Sequence, residues 1–295
     1  MAPPPLKIGL NIVWMKPELQ VRTAQLAEDL GFEGAWSGEH LALPSGDPNW
    51  WRKYPTAVAL ADRATEDVVN FRPRSPFVDP LIVLAAIASA TKTIRLGVGI
   101  YMLPLRDAVL AARMVASLDV LSGGRLDLGV GLGWSEEEYR FTGNDFAKRG
   151  RKMDESILAL RACFESDDPE FHGEFYDFGP MGFEPKPIQR PLPILVGGGT
   201  PAAEKRAALL GNGWHGAASS IPRIKAHLVE AGRGGEPFQF SSITLGPAPR
   251  ADLEALAAQG VQRAVVTPWV GRKLGEIGEE GFADLERYAK QIGLA

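Results

Sequence analysis

The chain has 295 residues, 45% of them hydrophobic, and carries a net charge of −4 at neutral pH. That apolar content suffices for a sizeable core. No Lys/Arg run marks a nucleic-acid face, and no stretch reaches the roughly 20 apolar residues of a membrane helix. Cys163 is the single cysteine, which excludes an internal disulfide and suits a reducing compartment.

The opening MAPPPLKIGL shows neither an apolar signal core nor a basic leader, so a soluble, cytoplasmic protein is expected. Leu6 to Val13 reads as a buried strand. Pro17 to Leu30 reads as a helix, with Pro17 in its first turn and Gly31 as its stop. Gly34 to His40 is a second strand. Residues 41–78 form an irregular excursion bearing Trp50, Trp51 and Tyr54, expected to act as a loop or lid, because long ordered loops are usually functional. Pro80 to Ala90 is helical, Ile94 to Met102 is a strand, and Ala108 to Leu121 is a helix closed by Gly123 and Gly124. A strand at Arg125 to Val130 precedes a helix at Asp154 to Phe164. Leu192 to Val196 is a strand and Pro201 to Leu210 a helix. Trp214 to Ala218 is a short strand before a helix at Ile221 to Ala231. Strands at Phe240 to Leu245 and Arg263 to Thr267 flank Ala251 to Gln259, and Phe282 to Ile292 closes the chain.

Eight strands alternating with helices imply a parallel sheet. Eight in about 300 residues favour a closed (β/α)8 TIM barrel over a doubly wound open sheet. With no convincing linker, residues 1–295 read as one domain.

Barrel chemistry belongs at the C-terminal strand ends. GAWSGEH, residues 34–40, places Glu39 and His40 at such an end, and adjacent strand residues point to opposite sides. His40 suits proton transfer near neutral pH; capping backbone groups is the structural alternative. In RLDLGVGLGW, residues 125–134, the glycines alternate and do not match the GxGxxG fingerprint. They let either a flat ligand or a neighbouring backbone come close. In PILVGGGTPAAEKRAALL, residues 193–210, a strand runs through three glycines into a helix with Thr200 as N-cap and Pro201 at its first position. Such amides bind anions. The Lys-Ser/Thr of a nucleotide P-loop is missing, so a cofactor phosphate is expected rather than ATP hydrolysis. Arg149 and Arg151 are either solvated charges or phosphate or subunit contacts. His172, His215 and His227 show no metal-ligand spacing, and no metal is expected.

Five stretches in order carry a resemblance: AEDLGFEGAWSGEH (27–40), DPLIVLAAIASATKTIRLGVGI (79–100), VLAARMVASLDVLSGGRLDLGVGLGW (109–134), KRGRKMDE (148–155) and PILVGGGTPAAEKRAALLGNGW (193–214). Together they resemble the luciferase-like monooxygenase superfamily, and more closely its branch that uses coenzyme F420, a deazaflavin. The resemblance implies a TIM barrel and a catalytic His40 beside the reactive centre of the ring, with Glu39 its neighbour. It implies a strand-end bulge with a cis peptide at Gly99-Ile100 behind the ring, and a ring-lining loop at Gly131, Leu132 and Gly133. It implies a phosphate loop at Gly197, Gly198, Gly199 and Thr200. Trp14, Trp50, Trp51, Tyr101 and Trp134 are candidates for an aromatic-walled substrate pocket.

The chain departs from the family pattern in three places. Arg106-Asp107-Ala108 stands where many relatives read Arg-His-Pro, and Asn212-Gly213-Trp214 where Asp-Gly-Trp is common. Trp134 replaces a glutamate of the sugar-phosphate dehydrogenases, which argues against their substrate and their acid–base pair. The activity implied is hydride transfer between the deazaflavin C5 and a small organic substrate. The alternative is a reduced-FMN and oxygen monooxygenase on the same fold, and a more distant one a non-catalytic barrel without cofactor. The resemblance also implies a homodimer.

Overall fold

The computed structural model describes residues 5–47, 49–55, 73–244, 246–269 and 272–294. In chain order the strands are β1 (Lys7–Asn11), β2 (Gly34–Ser37), β3 (Arg95–Met102), β4 (Leu126–Gly131), β5 (Phe171–His172), β6 (Asp177–Phe178), β7 (Ile194–Gly198), β8 (Gly213–Gly216), β9 (Gln239–Ile243) and β10 (Arg263–Val266). Eight of them close a parallel barrel in the order β1-β2-β3-β4-β7-β8-β9-β10, with β10 pairing back onto β1. β5 and β6 make a separate antiparallel hairpin. This is the (β/α)8 architecture that the alternation predicts.

The helices are α1 (Gln20–Asp29), α2 (Pro80–Ala90), α3 (Ala108–Leu121), α4 (Glu136–Phe141), α5 (Arg149–Glu165), α6 (Pro201–Leu210), α7 (Ile221–Glu230), α8 (Arg250–Ala258) and α9 (Glu280–Ile292). Several starts are written in the sequence. The Asp79 carboxylate accepts from the Leu81 and Ile82 amides, Asp107 accepts from Leu110, and Thr200 accepts from Ala203. Pro80 and Pro201 follow two of these caps, at a position whose amide the helix does not use.

Some boundaries differ from the sequence reading, for local reasons. β1 stops at Asn11 because its side chain accepts from the Val13 amide and turns Ile12–Trp14 into a 3-10 turn. Another such turn, Pro17–Leu19, precedes α1. β2 ends at Ser37, so Glu39 and His40 lie just beyond it. α5 begins at Arg149, five residues before the apolar stripe that marks it in sequence. Of the excursion at 41–78, residues 48 and 56–72 lie outside the described residues.

The barrel interior is filled by Trp36 with Leu195 and Val265. Glycines make the room: a Cβ on Gly97 would lie 2.1 Å from Trp36 Cδ2. Arg263, 1% exposed, lies over the Trp36 ring at 5.3 Å and is paired with Glu33 and Asp127. The larger apolar core lies in the layer between the barrel and the helices.

Candidate active site

The sequence-predicted residues lie at or just beyond the carboxyl ends of the strands, and several of them are in contact. Glu39 and His40, adjacent beyond β2, engage different partners. The Glu39 carboxylate receives Arg106 Nη1 at 2.9 Å, Arg106 Nη2 at 2.6 Å and the Met102 amide at 2.5 Å. Burial pushes this carboxyl above its usual range; the Arg106 guanidinium and the Met102 amide oppose that shift. Arg106 also lies over the Tyr101 ring at 3.8 Å and reaches Asp79 at 3.5 Å. Glu39 thus ties the end of β2 to the end of β3, and its oxygens are occupied by those donors.

His40 turns to Glu138, on α4. Its Nδ1 lies 2.9 Å from Glu138 Oε2, while Glu138 Oε1 accepts from the Leu41 amide at 2.7 Å. The Glu138 side chain is fully buried and that of His40 is 10% exposed. Ser135 caps α4 and accepts from the Glu138 amide, so Ser135 and Glu138 have the spacing of a capping box. In such a box the glutamate returns to its own cap; here it crosses to the neighbouring strand end. The motif therefore encodes the helix start and not the partner. A carboxylate at Nδ1 fixes the orientation of the His40 ring.

Aromatic side chains surround this pair. The edge of His40 meets Phe77 and Trp134, each at 5.2 Å between ring centroids. Trp134 stacks on Trp50 at 5.4 Å and packs on Tyr54 at 5.3 Å. Glu137 fastens that loop: its oxygens receive Lys53 Nζ and Tyr54 Oη, both at 2.5 Å. Burial alone would raise the Glu137 carboxyl, but the Lys53 and Tyr54 donors outweigh it and hold the group at about 2. Of the remaining pocket candidates, Trp51 is buried with Arg52 over its ring at 4.9 Å, and Tyr101 is buried beneath Arg106. Trp14 is buried, and its Nε1 has no hydrogen-bond partner among the described residues.

The floor of the mouth is built on Ile100. The Gly99–Ile100 peptide is cis, and the register between β3 and β4 shifts between Val98 and Tyr101. The Ile100 side chain spreads over two glycines: a Cβ on Gly131 would meet Cδ1 at 2.5 Å, and one on Gly197 would meet Cγ2 at 2.6 Å. The loop Leu132–Gly133 follows, with Gly133 at a φ of 71° and the Leu132 carbonyl accepting from Tyr139 Oη. Gly198, Gly199 and Thr200 are exposed at the N-terminus of α6. Arg149 lies over Phe146 at 3.7 Å, and its buried Nε has no partner among the described residues. Arg151 is exposed and paired with Glu174.

Directly under this floor stands His215, a residue that sequence reading considered only for metal spacing. Its ring stacks on Trp36 at 4.9 Å, Nδ1 lies 3.0 Å from Ser241 Oγ, and a Cβ on Gly99 would lie 2.8 Å from Nε2. Burial, with help from the Arg263 charge, pulls its pKa down to about 4. Among the described residues no group of three or more His, Cys, Asp or Glu could hold a metal ion, and no helix is long and apolar enough to cross a membrane. A recess of about 300 Å³ lined by Pro247, Pro268, Arg272, Asp284, Arg287, Tyr288 and Gln291 shares no residue with the His40 cluster.

The family model for luciferase-like monooxygenases matches residues 11–289. The chain belongs to the luciferase-like monooxygenase family. An uncharacterised protein of Mycobacterium tuberculosis is 36% identical over 278 residues, covering 91% of this chain and 92% of its own. The FMNH2-dependent dimethylsulfone monooxygenase of Pseudomonas putida is 34% identical over 147 residues, covering 48% and 40% of the two chains. Two solved structures share the luciferase-like fold. An F420-dependent secondary alcohol dehydrogenase aligns with a TM-score of 0.75 at 16% identity, covering 98% of this chain and 99% of that one. The monooxygenase RslO1 of Streptomyces bottropensis aligns with a TM-score of 0.72 at 19% identity, covering 97% of each chain.

Proposed function

We propose that this luciferase-like protein is an oxidoreductase that binds coenzyme F420 at the mouth of its barrel and moves a hydride between the cofactor and a small organic substrate. The observation that carries the reading is the His40–Glu138 pair, a buried carboxylate holding an imidazole at the strand ends where barrel enzymes do their chemistry. The residues present fit a flat cofactor with a phosphate. Gly131 and Gly197 leave Ile100 room to form a floor, and Gly198, Gly199 and Thr200 open helix-start amides to an anion.

Bound there, the deazaflavin would supply a two-electron hydride donor or acceptor. The chain supplies the rest. His40 gives or takes the accompanying proton, and Glu138 fixes the ring's orientation. Trp134 and Phe77 keep water from the His40 edge, and Glu39 with Arg106 holds the ends of β2 and β3 in place. In this reading Glu39 serves as a positioning residue beside the catalytic His40.

The F420-dependent dehydrogenase and the monooxygenase RslO1 both match the chain nearly end to end, so length does not separate the cofactors, and the F420 reading rests on the sequence resemblance. The rival, reduced FMN with oxygen, is favoured by the 34% identity to the dimethylsulfone monooxygenase. Titration of the purified protein with F420 and separately with FMN, followed by cofactor fluorescence, tests the reading. Tighter binding of F420 is expected. Tighter binding of FMN transfers the protein to the oxygen-using branch, and binding of neither ends the cofactor reading. His40→Ala is expected to lower kcat about 10²–10⁴-fold, the usual worth of a positioned general acid or base, with cofactor affinity nearly intact. Unchanged turnover would remove His40 from the mechanism.

A further inference from the structure

Two glycines of LGVGI, residues 96–100, each make room for a ring. A Cβ on Gly97 would run into Trp36 Cδ2, and one on Gly99 would lie 2.8 Å from His215 Nε2. The His215 ring lies nearly parallel to that of Trp36, at 6° and 4.9 Å between centroids. The two rings form a column inside the barrel that ends against Gly99, and Ile100 is the next residue of the chain. His215 is also held from the side. Its Nδ1 lies 3.0 Å from Ser241 Oγ on the neighbouring β9, and both residues are buried. Its main chain pairs with Gly197 on β7, where a Cβ would meet the His215 carbonyl oxygen at 3.3 Å and Ile100 Cγ2 at 2.6 Å. A ring packed on Trp36 and hydrogen-bonded to Ser241 resists displacement, because interiors are close-packed.

We infer that His215 is a positioning residue for the cofactor: its ring, standing on Trp36, sets the height of Gly99 and hence of the Ile100 floor. The inference rests on the cofactor reading above and adds a residue to that site. His215 acts through Gly99 and Ile100 rather than by moving a proton, since burial and the Arg263 charge keep its imidazole neutral near pH 7. The backbone of Gly99 is not left-handed, so a methyl group there is opposed by the rings beneath it. Removing the His215 ring and adding that methyl are opposite changes at one contact. The first leaves a gap under the floor, and the second lifts it.

A double-mutant cycle tests this. Gly99→Ala, His215→Ala and the two combined are titrated with F420 and separately with FMN. Cofactor fluorescence gives the affinity, the absorption spectrum reports the environment of the bound ring, and urea melts give the stability. Each single variant is expected to bind the wild type's cofactor at least about tenfold more weakly, and the double variant to return to within about threefold of the wild type, a coupling of the size that touching residues show. A histidine that served the fold alone would lower the urea midpoint and leave affinity and spectrum unchanged. That result overturns the inference, as do additive losses in the double variant. If His215→Ala does not fold, His215→Asn takes its place in the cycle, keeping a polar group for Ser241 without the outer half of the ring. The two readings fail separately. Cofactor binding that ignores both substitutions sinks the role of His215 alone, and a wild type that binds neither cofactor sinks the cofactor reading and the floor with it.

Discussion

Glu138 decides what His40 can do. An imidazole held at Nδ1 by a buried carboxylate keeps one tautomer and one ring direction, so removing the carboxylate should damage orientation rather than binding. Glu138→Gln keeps the volume but gives up the charge. It is expected to lower kcat about tenfold to a hundredfold, by analogy with the loss of an outer partner of a functional histidine, with cofactor affinity unchanged and with the pH dependence of kcat displaced. Steady-state kinetics over pH check this; a variant matching the wild type in both rate and pH profile would make the contact incidental. His215 makes a different prediction. Its folded pKa of about 4 lies below the ordinary histidine value of 6.5, so between these limits the unfolded chain binds a proton that the folded one refuses. Stability is therefore complete above pH 6.5 and falls as pH drops towards 4. The total loss is about 3 kcal/mol at about 1.4 kcal/mol per pH unit. The groups facing the ring are Trp36 and Ser241, with Arg263 and Asp127 acting through their charge. Glu28 and Glu137, both held near 2, lose their contribution only below about pH 4.5. Urea melts at pH 7 and pH 4.5 should show the histidine slope in the wild type and a flatter one in His215→Phe, which keeps a ring on Trp36.

The connections between elements bear more on the site than the elements themselves. The Glu39–Arg106 pair joins the end of β2 to the turn after β3, and the Glu39 side chain is 2% exposed against 15% for Arg106. Arg106→Met removes one partner and leaves a buried carboxylate with a single amide donor. Such losses cost about 3–5 kcal/mol, to be read from chemical denaturation; a cost near zero would mean that water reaches Glu39. The same connections explain what the sequence conveyed. Helices with a local cap, such as α2 behind Asp79-Pro80 and α6 behind Thr200-Pro201, were legible because cap and helix are neighbours in the chain. β5 and β6, two residues each, carry too little alternation to register. The partner of His40 lies 98 residues away, and no local period encodes a pairing across two strand ends. Even the adjacent acid misleads: Glu39 stands next to His40 in sequence and serves Arg106 in space, because neighbouring residues at a strand end diverge.

At the scale of the molecule the barrel was legible, because eight alternations in a chain of this length have few other solutions. Which outer surface meets another molecule was not, and for that the helix faces give an argument. α2 and α3 pack side by side. A core-facing helix should turn polar residues outward, yet Ile82 on α2 is 62% exposed, and on α3 Leu110 is 67% and Leu121 71% exposed. Met114 lies on the same side of α3 at spacing i+4 from Leu110, and the exposed positions of the two helices include one charge, Arg113. Contiguous apolar surface of this kind marks an interaction site. A two-helix face can meet its own copy about a twofold axis, each residue finding its partner in the symmetric position. We therefore expect a homodimer across α2 and α3. Light scattering behind size exclusion should give twice the 31.9 kDa chain mass. Leu110→Glu with Leu121→Glu should give the monomer with its far-UV spectrum intact, since both side chains already face water in the single chain. A wild type that runs as a monomer at micromolar concentration would overturn the expectation, and a dimer untouched by the two glutamates would move the interface to another face of the barrel.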